Sequence, residues 1–178
     1  MTDRLPGDET PREALHRMLR VDHAGEYGAV RIYAGQRAVL GRGPHAALLA
    51  HMAAQEQEHL RCFEGLIAEH RVRPTALLPL WHLAGFALGA ATAALGSRAA
   101  MACTVAVEEA IDAHYAAQEA ALSDRPALRE TVARFRAEEN EHRAAGLAHG
   151  AAEAPGYRVL SALIKAGCRV AIRASEIL

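Results

Sequence analysis

Apolar residues recur along this chain at three- and four-residue spacing, interrupted at a few points by clusters of glycine, proline and small polar residues. Thr10-Pro11-Arg12-Glu13 opens the pattern as a capping box with proline at the first helical position, and the helix it starts is predicted to run to about Leu40. Gly41-Arg42-Gly43-Pro44 breaks it, and Leu48, Met52, Phe63 and Leu66 mark a second helix to about His70. Residues 74–97 follow, 24 positions without a formal charge, rich in Leu, Ala and Gly and holding the single tryptophan, Trp81. Gly96-Ser97 ends that stretch and caps a fourth segment to Leu122. Ser123-Asp124-Arg125-Pro126 then separates a fifth to about His149, and Ala154-Pro155-Gly156 precedes a last one, Tyr157 to Leu178. Six helical segments without a convincing strand make the chain all-α.

Composition agrees. Hydrophobic residues are 51% of 178 but aromatics only 4%, and 41 alanines supply nearly half of the apolar count, which disfavours a sandwich or barrel built on β-branched and aromatic strands. The length fits one domain with its own core, residues 1–10 being expected as a flexible lead. A net charge of −1 gives no footprint for wrapping nucleic acid. Cys62, Cys103 and Cys168 are odd in number and far apart, so neither a disulfide framework nor a thiolate zinc site is suggested and a reducing, intracellular setting fits. Met1 to Glu13 carries charge and proline where a cleaved signal would need an apolar run.

The helix breaks stand in register with particular glutamates. Glu26 and Glu56 are 30 apart with their midpoint in the Gly41 to Pro44 turn, and Glu108 and Glu139 are 31 apart with theirs at the Ser123 to Pro126 break. On antiparallel helices each pair lies at one height. The halves repeat at a shift of 82 to 83 residues, as two helix hairpins packed into a four-helix bundle would. Glu56-Gln57-Glu58-His59 and Glu139-Asn140-Glu141-His142 add a histidine three residues after a glutamate, on the same helical face. One glutamate from each of two helices plus Glu-x-x-His from two others is the ligand pattern of carboxylate-bridged di-iron and di-manganese bundles.

The motif alone is weak: 16 glutamates and 10 histidines make about one Glu-x-x-His expected by chance. A third, Glu13-Ala14-Leu15-His16, lies roughly 20 Å along the axis from Glu26 and fails the geometry. Leu19, Val30, Met52, Phe63, Met101, Val105, Ile111, Val132 and Phe135 set the candidates within apolar stripes, where charge needs a partner or a metal. Glu58, Glu109, Glu138 and Glu141 read as solvated neighbours, although periodicity separates Glu108 from Glu109 poorly. Asp22, one turn before Glu26, reads as an acceptor for the free N–H of a ligand histidine, or else as a surface ion pair with an arginine.

Longer stretches carry a resemblance. Leu19-Arg20-Val21-Asp22-His23-Ala24-Gly25-Glu26-Tyr27-Gly28-Ala29, Glu56-Gln57-Glu58-His59, Arg71-Val72-Arg73-Pro74-Thr75, Pro79-Leu80-Trp81, Ala102-Cys103-Thr104-Val105-Ala106-Val107-Glu108-Glu109 and Glu138-Glu139-Asn140-Glu141-His142 resemble the 5-demethoxyubiquinone hydroxylase family of ubiquinone biosynthesis, from about Leu15 to the C-terminus. The resemblance implies a ferritin-like four-helix bundle with an additional hydrophobic helix and a C-terminal amphipathic helix. It further implies a monooxygenase with two iron ions that hydroxylates the ring of a polyprenyl quinone with O2, and with NADH or another reductant as electron source. Glu26, Glu56, His59, Glu108, Glu139 and His142 match the family's iron ligands, Glu56 and Glu139 at or near the bridging positions. His114 and Tyr115 match a His-Tyr pair implied to lie near substrate or electron transfer. Partners in a quinone-biosynthesis complex are implied too, but no interface for them or for a homo-oligomer is legible. A ferroxidase, a rubrerythrin-like or a manganese catalase-like bundle shares the ligands, and a membrane-docked scaffold with its carboxylates paired to arginines is the non-enzymatic alternative.

A polyprenyl substrate requires an apolar contact with membrane. Residues 74–97 are long enough by count to span, yet alanine and glycine dominate, His82 interrupts and Pro79 breaks the start, so an interfacial or shallowly inserted helix is expected, with Trp81 at the headgroup boundary. A buried helix or a dimer contact is the alternative. In the last segment Arg158, Lys165, Arg169 and Arg173 form a basic stripe beside Leu160, Ile164 and Cys168, which suits an anionic membrane surface or an ordinary amphipathic bundle helix. The expected location is peripheral, on the cytoplasmic face of the cell membrane.

Overall fold

The computed structural model describes residues 8–178; residues 1–7, most of the expected flexible lead, lie outside the described part. Six α-helices follow one another: α1 (Pro11–Leu40), α2 (Ala46–Glu69), α3 (Leu78–Ala94), α4 (Ser97–Ala121), α5 (Pro126–Ala148) and α6 (Tyr157–Ile177), with one 3-10 turn at Ala151–Glu153. No strand occurs among the described residues. The capping box is formed: Thr10 Oγ1 accepts from the Glu13 amide at 3.1 Å while the Thr10 amide donates to Glu13 Oε2 at 2.8 Å. This employs Glu13 at the helix start, so the third Glu-x-x-His is a cap. Gly96, with φ 111° and ψ 164°, sits in backbone space open to glycine and lets α4 start with only two residues between it and α3.

Helices α1, α2, α4 and α5 form the bundle. One apolar cluster joins Leu15, Leu19, Phe63, Ile67, Val132 and Phe135 at one end, and a second joins Leu49, Met52, Met101, Ala102 and Val105 towards the other. Helix α4 is buried without a break from Ala99 to Glu108, a run mostly of small residues that lets neighbouring helices approach on several sides. Gly146 of α5 meets it so closely that a Cβ there would lie 2.8 Å from Val105 Cγ2.

Helix α3 is 17 residues, shorter than the charge-free stretch that contains it, because Pro74 to Leu77 form a turn and Leu95 and Gly96 a break. It lies outside the bundle against α1, backbone to backbone: a Cβ on Gly89 would be 1.9 Å from the Ile32 carbonyl oxygen, and one on Gly35 2.2 Å from that of Phe86. Its buried face is Gly85, Gly89, Thr92 and Ala93, whereas Leu83 and Leu95 are 70% and 74% exposed. The buried-helix alternative is therefore corrected, because the small residues, and not the large apolar ones, make the contact. No helix among the described residues is long and apolar enough to cross a membrane.

Helix α6 covers the same side. Leu160 and Cys168 of α6 and Leu88 of α3 pack against one cluster of Ile32, Cys103, Ala106 and Val107, and Trp81 Nε1 donates to Ser175 Oγ at 3.2 Å. Ile164 faces inward as the apolar stripe requires, but Val159, Leu163, Val170 and Ile177 form a second apolar row that is open to solvent. Lys165 leaves the basic stripe: its Nζ donates to Glu109 Oε2 at 2.8 Å.

Candidate metal centre

Between the two apolar clusters the four bundle helices bring Glu26, Glu56, His59, Glu108, Glu139 and His142 together, all buried. They form two interlocking groups, Glu26, Glu56, His59, Glu139 and Glu56, Glu108, Glu139, His142, each with one donor atom per residue within 4.8 Å of the others. Glu56 and Glu139 belong to both. Glu139 faces both ways, with Oε1 3.0 Å from His59 Nδ1 and Oε2 3.1 Å from His142 Nδ1. His142 Nδ1 is also 3.1 Å from Glu56 Oε1, and His59 Nδ1 is 3.5 Å from Glu26 Oε2.

Burying four carboxylates costs several kcal/mol each unless cations, protons or donors compensate. In the metal-free chain protons do so. Burial pushes Glu26, Glu56 and Glu108 above the usual carboxyl range. Against the downward pull of burial, hydrogen bonds to Glu139 and Glu26 hold His59 up at about 11, and those to Glu139 and Glu56 hold His142 up at about 9. Glu139 goes the other way: burial would raise it, but hydrogen bonds from His142 and His59 bring it to about 2.

The residues fit metal ions on their own geometry. Glu26 Oε2, Glu108 Oε2 and both oxygens of Glu56 are buried with no donor from outside the six-residue cluster, an arrangement that is costly for oxygens with nothing further to bind. The histidines present Nδ1 inward, because Nε2 is engaged outward: that of His59 donates to Glu138 Oε2 at 2.6 Å and that of His142 to Gln55 Oε1 at 3.0 Å. Two divalent cations sharing two carboxylates, with one imidazole each, is what this donor set can hold. No arginine or lysine is within ion-pair distance of the four glutamates among the described residues, which removes the scaffold alternative with arginine-paired carboxylates.

Tyr115 and His114 lie at the edge of this cluster. The Tyr115 hydroxyl donates to Glu26 Oε1, and His114 Nε2 is 3.1 Å from Asp22 Oδ1. Asp22 thus corrects its expected role. It is buried, neither a surface ion pair nor a partner of a ligand histidine, and it takes His114 and the Gln118 amide instead. Glu138 and Gln55 occupy the place expected of Asp22, since they sit on the ligand-bearing helices directly opposite the imidazole edges. Glu138 and Glu109 are half-buried and bonded, while Glu58 and Glu141 are exposed as expected.

Tyr33 is the residue that spacing could have found. Its hydroxyl donates to Glu108 Oε1 at 3.1 Å, the counterpart of Tyr115 on Glu26, and the two tyrosines are 82 residues apart like Glu26 and Glu108. Each glutamate of one hairpin therefore receives its tyrosine from the other. Burial pushes both phenols well above their usual range, so they stay donors.

The family profile described as "Ubiquinone biosynthesis protein COQ7" matches residues 13–175. A Rhodospirillum rubrum protein named 3-demethoxyubiquinol 3-hydroxylase is 58% identical over 176 residues, 98% of this chain and 83% of that one. A human protein named NADPH-dependent 3-demethoxyubiquinone 3-hydroxylase, mitochondrial, is 53% identical over 95% of this chain and 80% of its own. Yeast 5-demethoxyubiquinone hydroxylase, mitochondrial, is 41% identical over 91% and 77%. These likenesses separate the chain from the ferroxidase, rubrerythrin-like and manganese catalase-like bundles that the ligands alone left open. The chain belongs to the COQ7 family of ubiquinone biosynthesis proteins.

Proposed function

We propose that this chain is a di-iron monooxygenase that hydroxylates the ring of a polyprenylated demethoxyubiquinol with O2 and electrons from a reduced nicotinamide or another donor. The observation that carries the reading is the pair of buried donor groups sharing Glu56 and Glu139. Iron bound there would supply oxygen activation, which no side chain can. Glu26 and His59 would hold one ion, Glu108 and His142 the other, and Glu56 and Glu139 both. Tyr33 and Tyr115 hold Glu108 and Glu26 in place, and the Phe135 ring, centred 4.1 Å from that of His59, keeps water from that side. Tyr115 acts on the centre through Glu26 as a positioning group, while His114 pairs with Asp22 beside it.

A groove of about 480 Å³ between α1, α2 and the start of α3 is bounded by His23, Tyr27, Glu64, Ile67, Val72 and Leu78 and is mostly apolar. It opens next to α3. The exposed Leu80 and Leu83 of α3, Leu95 just after it, and Val159, Leu163 and Val170 of α6, on one side of the bundle, form an apolar surface for the acyl boundary of a bilayer. Arg158, Arg169 and Arg173 are exposed on α6 and would meet anionic headgroups. The protein docks peripherally, in a membrane that contains the quinone.

Anaerobic loading with Fe(II), then turnover of a short-chain demethoxyquinone with NADH or NADPH under ¹⁸O2, tests the reading. The expected result is two irons per chain and one labelled oxygen in the product. Iron-loaded protein that incorporates none overturns it.

A further inference from the structure

The two halves of the centre are related by the 82 to 83 residue shift, and their inward-facing groups match: Glu26 with Glu108, Glu56 with Glu139, His59 with His142, Tyr33 with Tyr115. Behind the histidines the match fails. Residues 55 and 138 are equivalent, each immediately preceding a shared glutamate, and each accepts the outer N–H of the histidine on the opposite hairpin. One is glutamine and the other glutamate. The His59 contact is the shorter, 2.6 Å against 3.0 Å, as expected for a charge-assisted bond. Arg134 Nη1, 3.6 Å from Glu138 Oε1, anchors the second oxygen of that carboxylate from the exposed side, so Glu138 Oε2 stays directed at the ring.

We propose that this broken equivalence makes the two metal positions unequal: Glu138 strengthens His59 as a donor, so the half built by Glu26 and His59 fills first, and the half built by Glu108 and His142, backed by the neutral Gln55, fills second. The inference rests on the two-metal reading of the cluster. An imidazole whose N–H is given to a carboxylate carries more electron density on its other nitrogen than one bonded to an amide oxygen, and such outer partners change metal affinity by about 10–100-fold. Glu138 and Gln55 are positioning residues, since neither reaches the ions.

The test is an anaerobic calorimetric titration of the full, metal-free chain with Fe(II). Two binding steps at least about tenfold apart are expected. Glu138→Gln keeps an acceptor for His59 but removes the charge, and should weaken the tighter step by about 10-fold or more, so that the steps merge. Gln55→Glu should tighten the weaker step and merge them from the other side. Circular dichroism should stay unchanged in both variants, and the two variants should move opposite binding steps, which a merely structural role would not produce. Two equal steps in the unaltered chain, or a gap left unchanged or widened by Glu138→Gln, overturns the inference and leaves the two-metal reading standing. Failure of the unaltered chain to take up two ions overturns both.

Discussion

Replacing either buried tyrosine by phenylalanine tests the centre at its least ambiguous contact. Glu108 Oε1 accepts from Tyr33 at 3.1 Å and Glu26 Oε1 accepts from Tyr115, while Oε2 of each glutamate has no donor from outside the cluster. Tyr33→Phe or Tyr115→Phe therefore strips the carboxyl of its only hydroxyl donor and leaves it buried at 1% exposure. Stranding a buried polar group costs about 1–3 kcal/mol. In a chain of this size each kcal/mol lowers the melting temperature by about 2–4 °C, so the metal-free protein should lose about 2–12 °C. The assay is a thermal melt of each variant, metal-free and after anaerobic Fe(II) loading. The two variants should lose similar amounts, since the hairpins exchange tyrosines reciprocally, and loading should shrink the loss because an ion takes over the stranded oxygens. A metal-free melt unchanged within about 1 °C refutes the reasoning, as does a loss that loading leaves untouched.

The metal-free protein should lose stability as pH rises from 6.5 to about 9: the folded-state values of His59 and His142, about 11 and 9, lie above their ordinary 6.5, so stability present below 6.5 is lost as those protons leave. Glu26, Glu56 and Glu108, raised above 4.5, act in the same direction, and Glu139 alone is opposed, its contribution being lost only as pH falls from 4.5 through about 2. Melts across that range check this, and Fe(II) should flatten the profile, since the ion replaces the protons. Gly89→Leu should push α3 off α1, because even a Cβ would lie 1.9 Å from the Ile32 oxygen; proteolysis within residues 74–97 should accelerate and the melting temperature fall. Leu83→Glu and Leu163→Glu, at positions 70% and 67% exposed, should reduce sedimentation with anionic vesicles without lowering the melting temperature, and salt should weaken the binding that remains. Equal co-sedimentation of variant and unaltered chain would remove the docking face from α3 and α6.

The helices were legible because their ends are local events: a capping box at Thr10, a Gly-Pro break after Leu40, proline at the start of α5. The six donors were legible for a related reason, as helical spacing and short turns convert sequence distance into height along a bundle. The same shift of 82 points from Tyr115 to Tyr33, a signal present but unread. Glu138 reads as a solvated neighbour in the sequence because its partner, His59, is on another helix, and only the packing of α2 against α5 decides which side of Glu139 the adjacent carboxylate reaches. Asp22 was misplaced for the same reason: its partners are on α4. For α3, hydropathy credits leucine and discounts glycine, whereas the helix turns its glycines inward to bring two backbones together.

By itself the sequence determined the helical class, the helix boundaries and the heights at which four carboxylates and two imidazoles meet, since these depend on local propensity and on the regular rise of a helix. The tertiary structure alone decided what lies behind each histidine, which tyrosine serves which glutamate, and that Leu83 and Leu163 face outward. Those are contacts between helices, set by crossing and rotation, which one-dimensional periodicity leaves free.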